Sequence, residues 1–277
     1  YTITYDLAGG TLPAGKTNPA DYTIETEDIT LQNPERTGYT FAGWSGTGLA
    51  ADSTTVTISK GSSGNREYTA NWTAKTYGIT LNGNGGTGDG LTGYTYGQGA
   101  LLPANWTKTG YTFAGWYGNK DCTGTPVTEI SVTDTGDKTY WAKWTPKTYQ
   151  VTFEYYGADG GDATASKNVS YDSQYGALPV PTKTGYTFKG WYTAEAEGQG
   201  TKVDAETIVT TAFAHTLHAR WKDETAPDKP VLQDGVTLPA DWTNEQDKIP
   251  LKLYDGVGVT GLLVSVDGSP YAEVNGF

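Results

Sequence analysis

Apolar and polar side chains alternate in short runs along this chain, and the runs recur in triplicate. Tyr68-Thr69-Ala70-Asn71-Trp72 aligns with Tyr140-Trp141-Ala142-Lys143-Trp144 and with Leu217-His218-Ala219-Arg220-Trp221. The first, third and fifth positions stay apolar, while the second and fourth vary. Successive side chains of a strand point to opposite faces. The pattern therefore predicts a strand whose apolar trio points inward and whose variable pair points to solvent. Three opening strands read the same way: Ile3-Thr4-Tyr5, Ile79-Thr80-Leu81 and Val151-Thr152-Phe153, each closed by a glycine-rich turn.

A third pattern separates these strands. The phrase Gly-Tyr-Thr-Phe-x-Gly-Trp stands at Gly38 to Trp44, Gly110 to Trp116 and Gly185 to Trp191, with starts 72 and 75 residues apart. A second fixed tryptophan follows 28 to 30 residues later, at Trp72, Trp144 and Trp221. Self-similarity at a fixed period identifies a repeat array. Within the phrase, strict alternation puts Tyr39 and Phe41 on one face and Ala42 and Trp44 on the other. Ala42 and Ala114 become Lys189 in the third copy, which marks that second face as solvent. Strict alternation would then expose a row of three indoles. The glycine before each one predicts instead a bulge that re-aims the tryptophan inward, where large aromatics are usually found. The expected core aromatics are Tyr39, Phe41, Trp44 and Trp72, then Tyr111, Phe113, Trp116 and Trp144, then Tyr186, Phe188, Trp191 and Trp221.

No segment holds a sustained 3.6-residue apolar period, so helix content is expected to be low. The repeats divide the chain into modules at residues 1–75, 76–147 and 148–224. They join through Thr73-Ala74-Lys75-Thr76 and Thr145-Pro146-Lys147-Thr148, linkers with little slack, which implies an elongated array with restricted bending. From residue 225 the pattern breaks into a proline-bearing linker, followed by a differently spaced β module cut off at Phe277.

At these residues the sequence resembles the internalin B-type repeats, also called Listeria–Bacteroides repeats, of bacterial surface proteins. The shared features are the opening strand and glycine turn, a proline, Gly-Tyr-x-Phe-x-Gly-Trp, and a closing aromatic-x-Ala-x-Trp strand, over about residues 1–224. The first copy departs from it by lacking a Gly-x-Leu-Pro segment. The resemblance implies a β-rich (all-β to α+β) chain of three tandem β-grasp-like modules, each strand-rich with a short helix. Residues 225–277, with Ala226-Pro227 and Ser265-Val266-Asp267-Gly268, resemble the start of a bacterial immunoglobulin-like domain.

Composition narrows the function. A net charge of −12, from 31 acidic and 19 basic side chains, opposes binding to nucleic acid, which runs on phosphate neutralisation. Anionic glycans and anionic lipid surfaces are disfavoured for the same reason. No stretch reaches the apolar length of a membrane span, and no signal peptide is present. The lack of methionine reads as a piece of a longer protein, with any secretion signal or anchor outside it. One cysteine, Cys122, gives no internal disulfide, so modules this small rely on dense aromatic packing.

Little in the sequence supports chemistry. The two histidines, His215 and His218, recur in no other module, and their odd spacing places them on opposite faces of a strand. A hydrolytic triad needs a nucleophile, a base and an acid converging. Cys122, in Asn119-Lys120-Asp121-Cys122, reads as an incidental loop residue without a partner base. Gly85 to Gly90 holds half of one calcium nonapeptide, a motif that works by tandem stacking, so it reads as a turn. No cofactor is expected. A weak loop calcium site at Asp159 with Asp162, or at Asp255 with Gly256, is the one cation arrangement left open, and turn chemistry explains both pairs as well.

The expected function is a non-enzymatic, extracellular, monomeric region of a bacterial cell surface, serving as a rigid stalk and adhesion module. Its partner would be a host or environmental surface protein or glycan. Candidate contacts are Trp141 and its repeat equivalents Thr69 and His218, on the expected solvent face. Two further readings are a glycan- or mucin-binding module and an accessory region of a larger secreted enzyme. Trp106 and Trp242, the other unrepeated indoles, read as local packing.

Overall fold

The structure is a computed structural model that describes residues 1–224, together with the strands Leu262–Val264 and Ala272–Val274. The immunoglobulin-like resemblance, Asp255 and Trp242 lie outside the described residues. By contacts the chain forms two compact units. The first comprises residues 1–149, 170–172 and 210–213, and the second residues 150–169, 173–209 and 214–277.

The first module contains β1 (Ile3–Asp6), β2 (Tyr39–Gly46) and β3 (Arg66–Ala74). The second contains β4 (Thr76–Asn82), β5 (Gly93–Thr95), β6 (Tyr111–Tyr117) and β7 (Lys138–Pro146). The third contains β8 (Thr148–Glu154), β9 (Ser166–Ser170), β10 (Tyr186–Tyr192), β11 (Lys202–Val203) and β12 (His215–Asp223). Sheet order in the third module is β9-β8-β12-β10-β11, a mixed sheet in which the opening and closing strands pair in parallel at the centre. The second module repeats this as β5-β4-β7-β6 and the first as β1-β3-β2. Single bridges stand in for the missing edge strands, Thr2 with Asp21, Trp44 with Ser53 and Trp116 with Val127.

Among the described residues there is no helix. The resemblance implied a short one in each module. The spans where it would lie are broken by residues at positive φ, Gly97 and Gly99 in the second module and Asp172 and Gly176 in the third, which a helix does not accept.

The signature strands explain the cores. Opposite β3, Phe41 pairs with Trp72 and Gly43 with Asn71, so Ala42 is the extra residue of a bulge. The same slip leaves out Ala114 on β6 and Lys189 on β10. One inserted residue inverts the phase of everything after it, so Phe41 and Trp44 face inward together. Trp44, Trp116 and Trp191 are 0%, 2% and 2% exposed. The bulge glycines hold φ of +139°, +113° and +121°, values that favour residues without a Cβ. Each indole bonds locally: Trp44 Nε1 donates to Asn33 Oδ1 at 3.0 Å, Trp116 to the Pro103 carbonyl at 2.7 Å and Trp191 to the Pro179 carbonyl at 2.8 Å.

Trp72, Trp144 and Trp221 are half-buried beside these cores. Their Nε1 groups donate to the carbonyls of Leu7, Gly83 and Tyr155 at 3.1, 2.8 and 2.9 Å, tying each closing strand to the turn after the opening one. Tyr39, Tyr111 and Tyr186 are also half-buried, each under a cation three residues before it: Arg36, Lys108 and Lys183 lie 3.9, 4.3 and 4.1 Å from the three ring centroids.

Candidate functional site

Thr69, Trp141 and His218 occupy equivalent places on three separate sheets, at the outer face of each central closing strand. Across the ladders Thr69 is flanked by Asp6 and Ser45, Trp141 by Asn82 and Tyr117, and His218 by Glu154 and Tyr192. Thr69 is exposed, while Trp141 and His218 are half-buried. The Nδ1 of His218 lies 2.7 Å from the hydroxyl of Tyr156, whose ring stacks on the imidazole. Burial, then Glu195 and Glu154, push the Tyr156 hydroxyl above its ordinary pKa. His215 faces the other way and meets the Tyr175 hydroxyl at 2.6 Å.

The outer face is exposed as expected at Thr69 and Lys143 but half-buried at Asn71, Trp141, His218 and Arg220, which corrects the simple alternation there. Residues at the fourth strand position reach over to hold a loop. Asn71 Nδ2 donates to Ser45 Oγ and Asp52 Oδ1, and Lys143 Nζ donates to the Cys122 carbonyl at 3.1 Å. Arg220 donates to the carbonyls of Ala194, Ala196 and Gln199. In the second module this loop buries Cys122, with Sγ 3.7 Å from the Ala142 carbonyl. A polar head on a chosen stem looks interchangeable in sequence, because nothing local shows which loop it will anchor.

Sequence reading took Trp106 as local packing, as it is, but did not reveal that it shares an aromatic plug's role with Tyr5 and Tyr155. Tyr5, Trp106 and Tyr155 each meet the buried signature indole of their module, at 6.0, 4.9 and 5.2 Å between centroids and steep angles. Each also donates to a carbonyl of the segment following its opening strand, Pro19 at 2.9 Å, Asp89 at 2.9 Å and Thr164 at 2.6 Å. The three residues come from different positions of the repeat, so superposing the sequences hides them. Beside Tyr155 lies an open cavity of ≈460 Å³ lined by Phe153, Ala158, Asp159, Gly160, Gly161 and Asp162.

Both carboxylates of that cavity are occupied by turn contacts. Asp159 Oδ2 accepts from the Thr184 N–H at 2.8 Å, and Asp162 Oδ1 accepts from the N–H and hydroxyl of Thr164. These hydrogen bonds hold both carboxyls below the usual aspartate range. Asp89, in the half-nonapeptide, accepts from Asn105. Among the described residues no three of His, Cys, Asp and Glu come together as a metal group would.

The most regular polar and aromatic geometry lies where one repeat meets the next turn, within the first unit. The Lys75 N–H donates to the Gly38 carbonyl at 2.9 Å, and the Tyr96 N–H donates to the Lys75 carbonyl at 3.0 Å. The Tyr96 ring covers Gly38 and meets Tyr39 edge-on at 5.3 Å. Lys147, Gly110, Tyr111 and Tyr171 repeat every one of these contacts, with the rings at 5.5 Å. Here the Tyr111 hydroxyl also donates to Asp172 Oδ2 at 2.7 Å.

The repeat anatomy matches the Listeria-Bacteroides repeat domain three times, at residues 1–73, 77–143 and 149–220. The chain belongs to this family. Among its relatives, Internalin H of Listeria monocytogenes is 36% identical over 145 residues, which cover 50% of this chain and 25% of the relative. Two Evansella cellulosilytica proteins are each 28% identical. One, labelled a Gly-rich membrane protein, matches 80% of this chain and 24% of itself. The other, labelled a membrane protein, matches 86% and 36%. The chain thus spans about a quarter to a third of the length of these relatives. No helix among the described residues is long and apolar enough to cross a membrane.

Proposed function

We propose that this repeat region is a non-catalytic part of a bacterial surface protein, extracellular, serving as a rigid spacer. The observation that carries the reading is the Gly38–Tyr96 contact and its repetition at Gly110–Tyr171. A tyrosine ring seated on a bare Cα, fixed by two backbone hydrogen bonds, leaves a linker little freedom to bend. Internalin H and the membrane-labelled relatives support the surface setting. Small-angle scattering of the chain beside its Tyr96→Ala variant tests the reading. A broader distribution of interatomic distances in the variant supports a stiff joint, and identical profiles sink it.

A second reading, adhesion to a surface protein or a neutral glycan, draws on one observation. Trp141 presents a half-buried indole on an outer face where the first module has Thr69. Aromatic side chains with one accessible face suit sugar and protein contacts. Binding to a panel of neutral glycans, mucin and matrix proteins, with Trp141→Ala alongside and calcium present or absent, is the test. Saturable binding lost in the variant assigns the contact, and binding to none leaves the spacer role alone.

A further inference from the structure

The joint has three parts on its receiving side: a bare glycine, a tyrosine hydroxyl and a linker carbonyl. Its entering side is a tight turn, Thr95 to Gln98 in the second module, closed by a Gln98 N–H bond to the Thr95 carbonyl at 3.1 Å. The first module carries a turn at the same place, Thr23 to Thr26, closed by the Thr26 N–H at 3.1 Å to the Thr23 carbonyl, though Glu25 lacks the positive φ of Gly97 and Asp172. The two turns are anchored alike. Tyr22 and Tyr94 bury their rings two residues before the corner, and their hydroxyls donate to the Gly64 and Gly136 carbonyls at 2.6 and 2.7 Å. Ile24 therefore stands where Tyr96 and Tyr171 stand.

In the joints, the corner side chain covers a glycine of the neighbouring repeat. In the first module, Ile24 is 51% exposed, a branched apolar side chain at the corner of a polar turn. Glu25 is exposed beside it. We infer that the Ile24–Glu25 turn is a docking surface, and that its occupant is the Lys/Arg-Thr-Gly-Tyr corner of another repeat of this family joined ahead of Tyr1. Ile24 covers the bare glycine of that corner. The inference rests on continuity with the joints at Gly38 and Gly110. It stands apart from any adhesive role of the outer faces.

The test places a second copy of residues 76–148 directly ahead of Tyr1 of the full chain, so that the Lys147-Thr148 linker leads into Tyr1 as it normally leads into Tyr149. Thermal unfolding is followed for the extended and the original chain, each with Ile24, Ile24→Asp and Ile24→Tyr. The expected result is a midpoint lowered by about 2–4 °C in the extended chain for Ile24→Asp, raised or unchanged for Ile24→Tyr, and no shift for either in the original chain. The original-chain arm separates loss of docking from damage to the first module. Equal shifts with and without the added repeat, or no shift in either, overturn the inference. So does self-association of the original chain that Ile24→Asp abolishes, because that assigns the surface to a second copy in trans.

Discussion

A Cβ placed on Gly38 would lie 2.3 Å from the ring of Tyr96, and one on Gly110 would lie 2.4 Å from the ring of Tyr171. Both glycines also hold φ near +78°, at +77° and +78°. Contact and conformation thus exclude a side chain at the same point, because a Cβ there would strike the Tyr96 ring that packs on Tyr39. Gly38→Ala and Gly110→Ala are each expected to destabilise the chain by about 1–3 kcal/mol. Tyr96→Ala should cost less within each module but should uncouple their unfolding. Denaturant titration followed by tryptophan fluorescence reads both. A single unchanged transition in Tyr96→Ala would show that the modules are not coupled through this ring.

The aromatic plugs make a sharper prediction, because two modules solve one packing problem from opposite sides. In the second module a Cβ on Gly83 would lie 2.3 Å from Trp106. In the third, Tyr155 occupies the Gly83 position of the turn, and Pro181 stands in the strand where Trp106 stands. Gly83→Tyr alone should destabilise by overpacking, about 1–3 kcal/mol, and Trp106→Pro alone by the lost ring, about 3 kcal/mol or more. The double variant should recover a large part of the sum. A double-mutant cycle with no coupling would show that the plugs are not interchangeable.

The signature tryptophans are the main core investment of each module. Trp44, Trp116 and Trp191 are fully enclosed, and no neighbouring backbone can collapse into the space of an indole. Replacement of any one by alanine should cost about 3–5 kcal/mol and unfold its own module first. Hydrogen exchange resolved by module is the measurement. Uniform loss of protection across all three would indicate one cooperative unit instead.

What was legible in the sequence follows from what repeats. The closing strand appears three times with period two intact, so its faces could be read, and Gly43 beside Trp44 signalled the bulge. The parallel pairing of β1 with β3 lies between residues more than sixty positions apart, and no local period encodes it. Asn71 and Arg220 looked like solvent residues because side-chain type does not reveal the loop each one anchors. What joins Tyr5, Trp106 and Tyr155 was hidden for the opposite reason. They share a role without sharing a position, and internal comparison finds only what stays in place. The Ile24 turn was obscured by the divergent first copy, whose equivalence to Tyr96 rests on backbone hydrogen bonds.

Alkaline pH offers a last test of the aromatic cores. Burial, with repulsion from Tyr68 behind it, raises the Tyr5 hydroxyl from an ordinary 10.0 to about 12. Burial likewise raises Tyr94, Tyr140 and Tyr175. A folded-state pKa above the unfolded value means that the folded protein holds its proton more tightly. The stabilisation is then complete below pH 10.0 and lost as pH climbs toward about 12. Stability should therefore fall steeply across that window, with the buried hydroxyls' share of the tyrosinate absorbance appearing together with unfolding. Tyr5→Phe should lower stability at neutral pH by about 0.5–1.5 kcal/mol, through the lost bond to the Pro19 carbonyl, yet flatten the alkaline slope of the first module. An unaltered slope in Tyr5→Phe would show that Tyr5 does not carry the alkaline loss of stability in the first module.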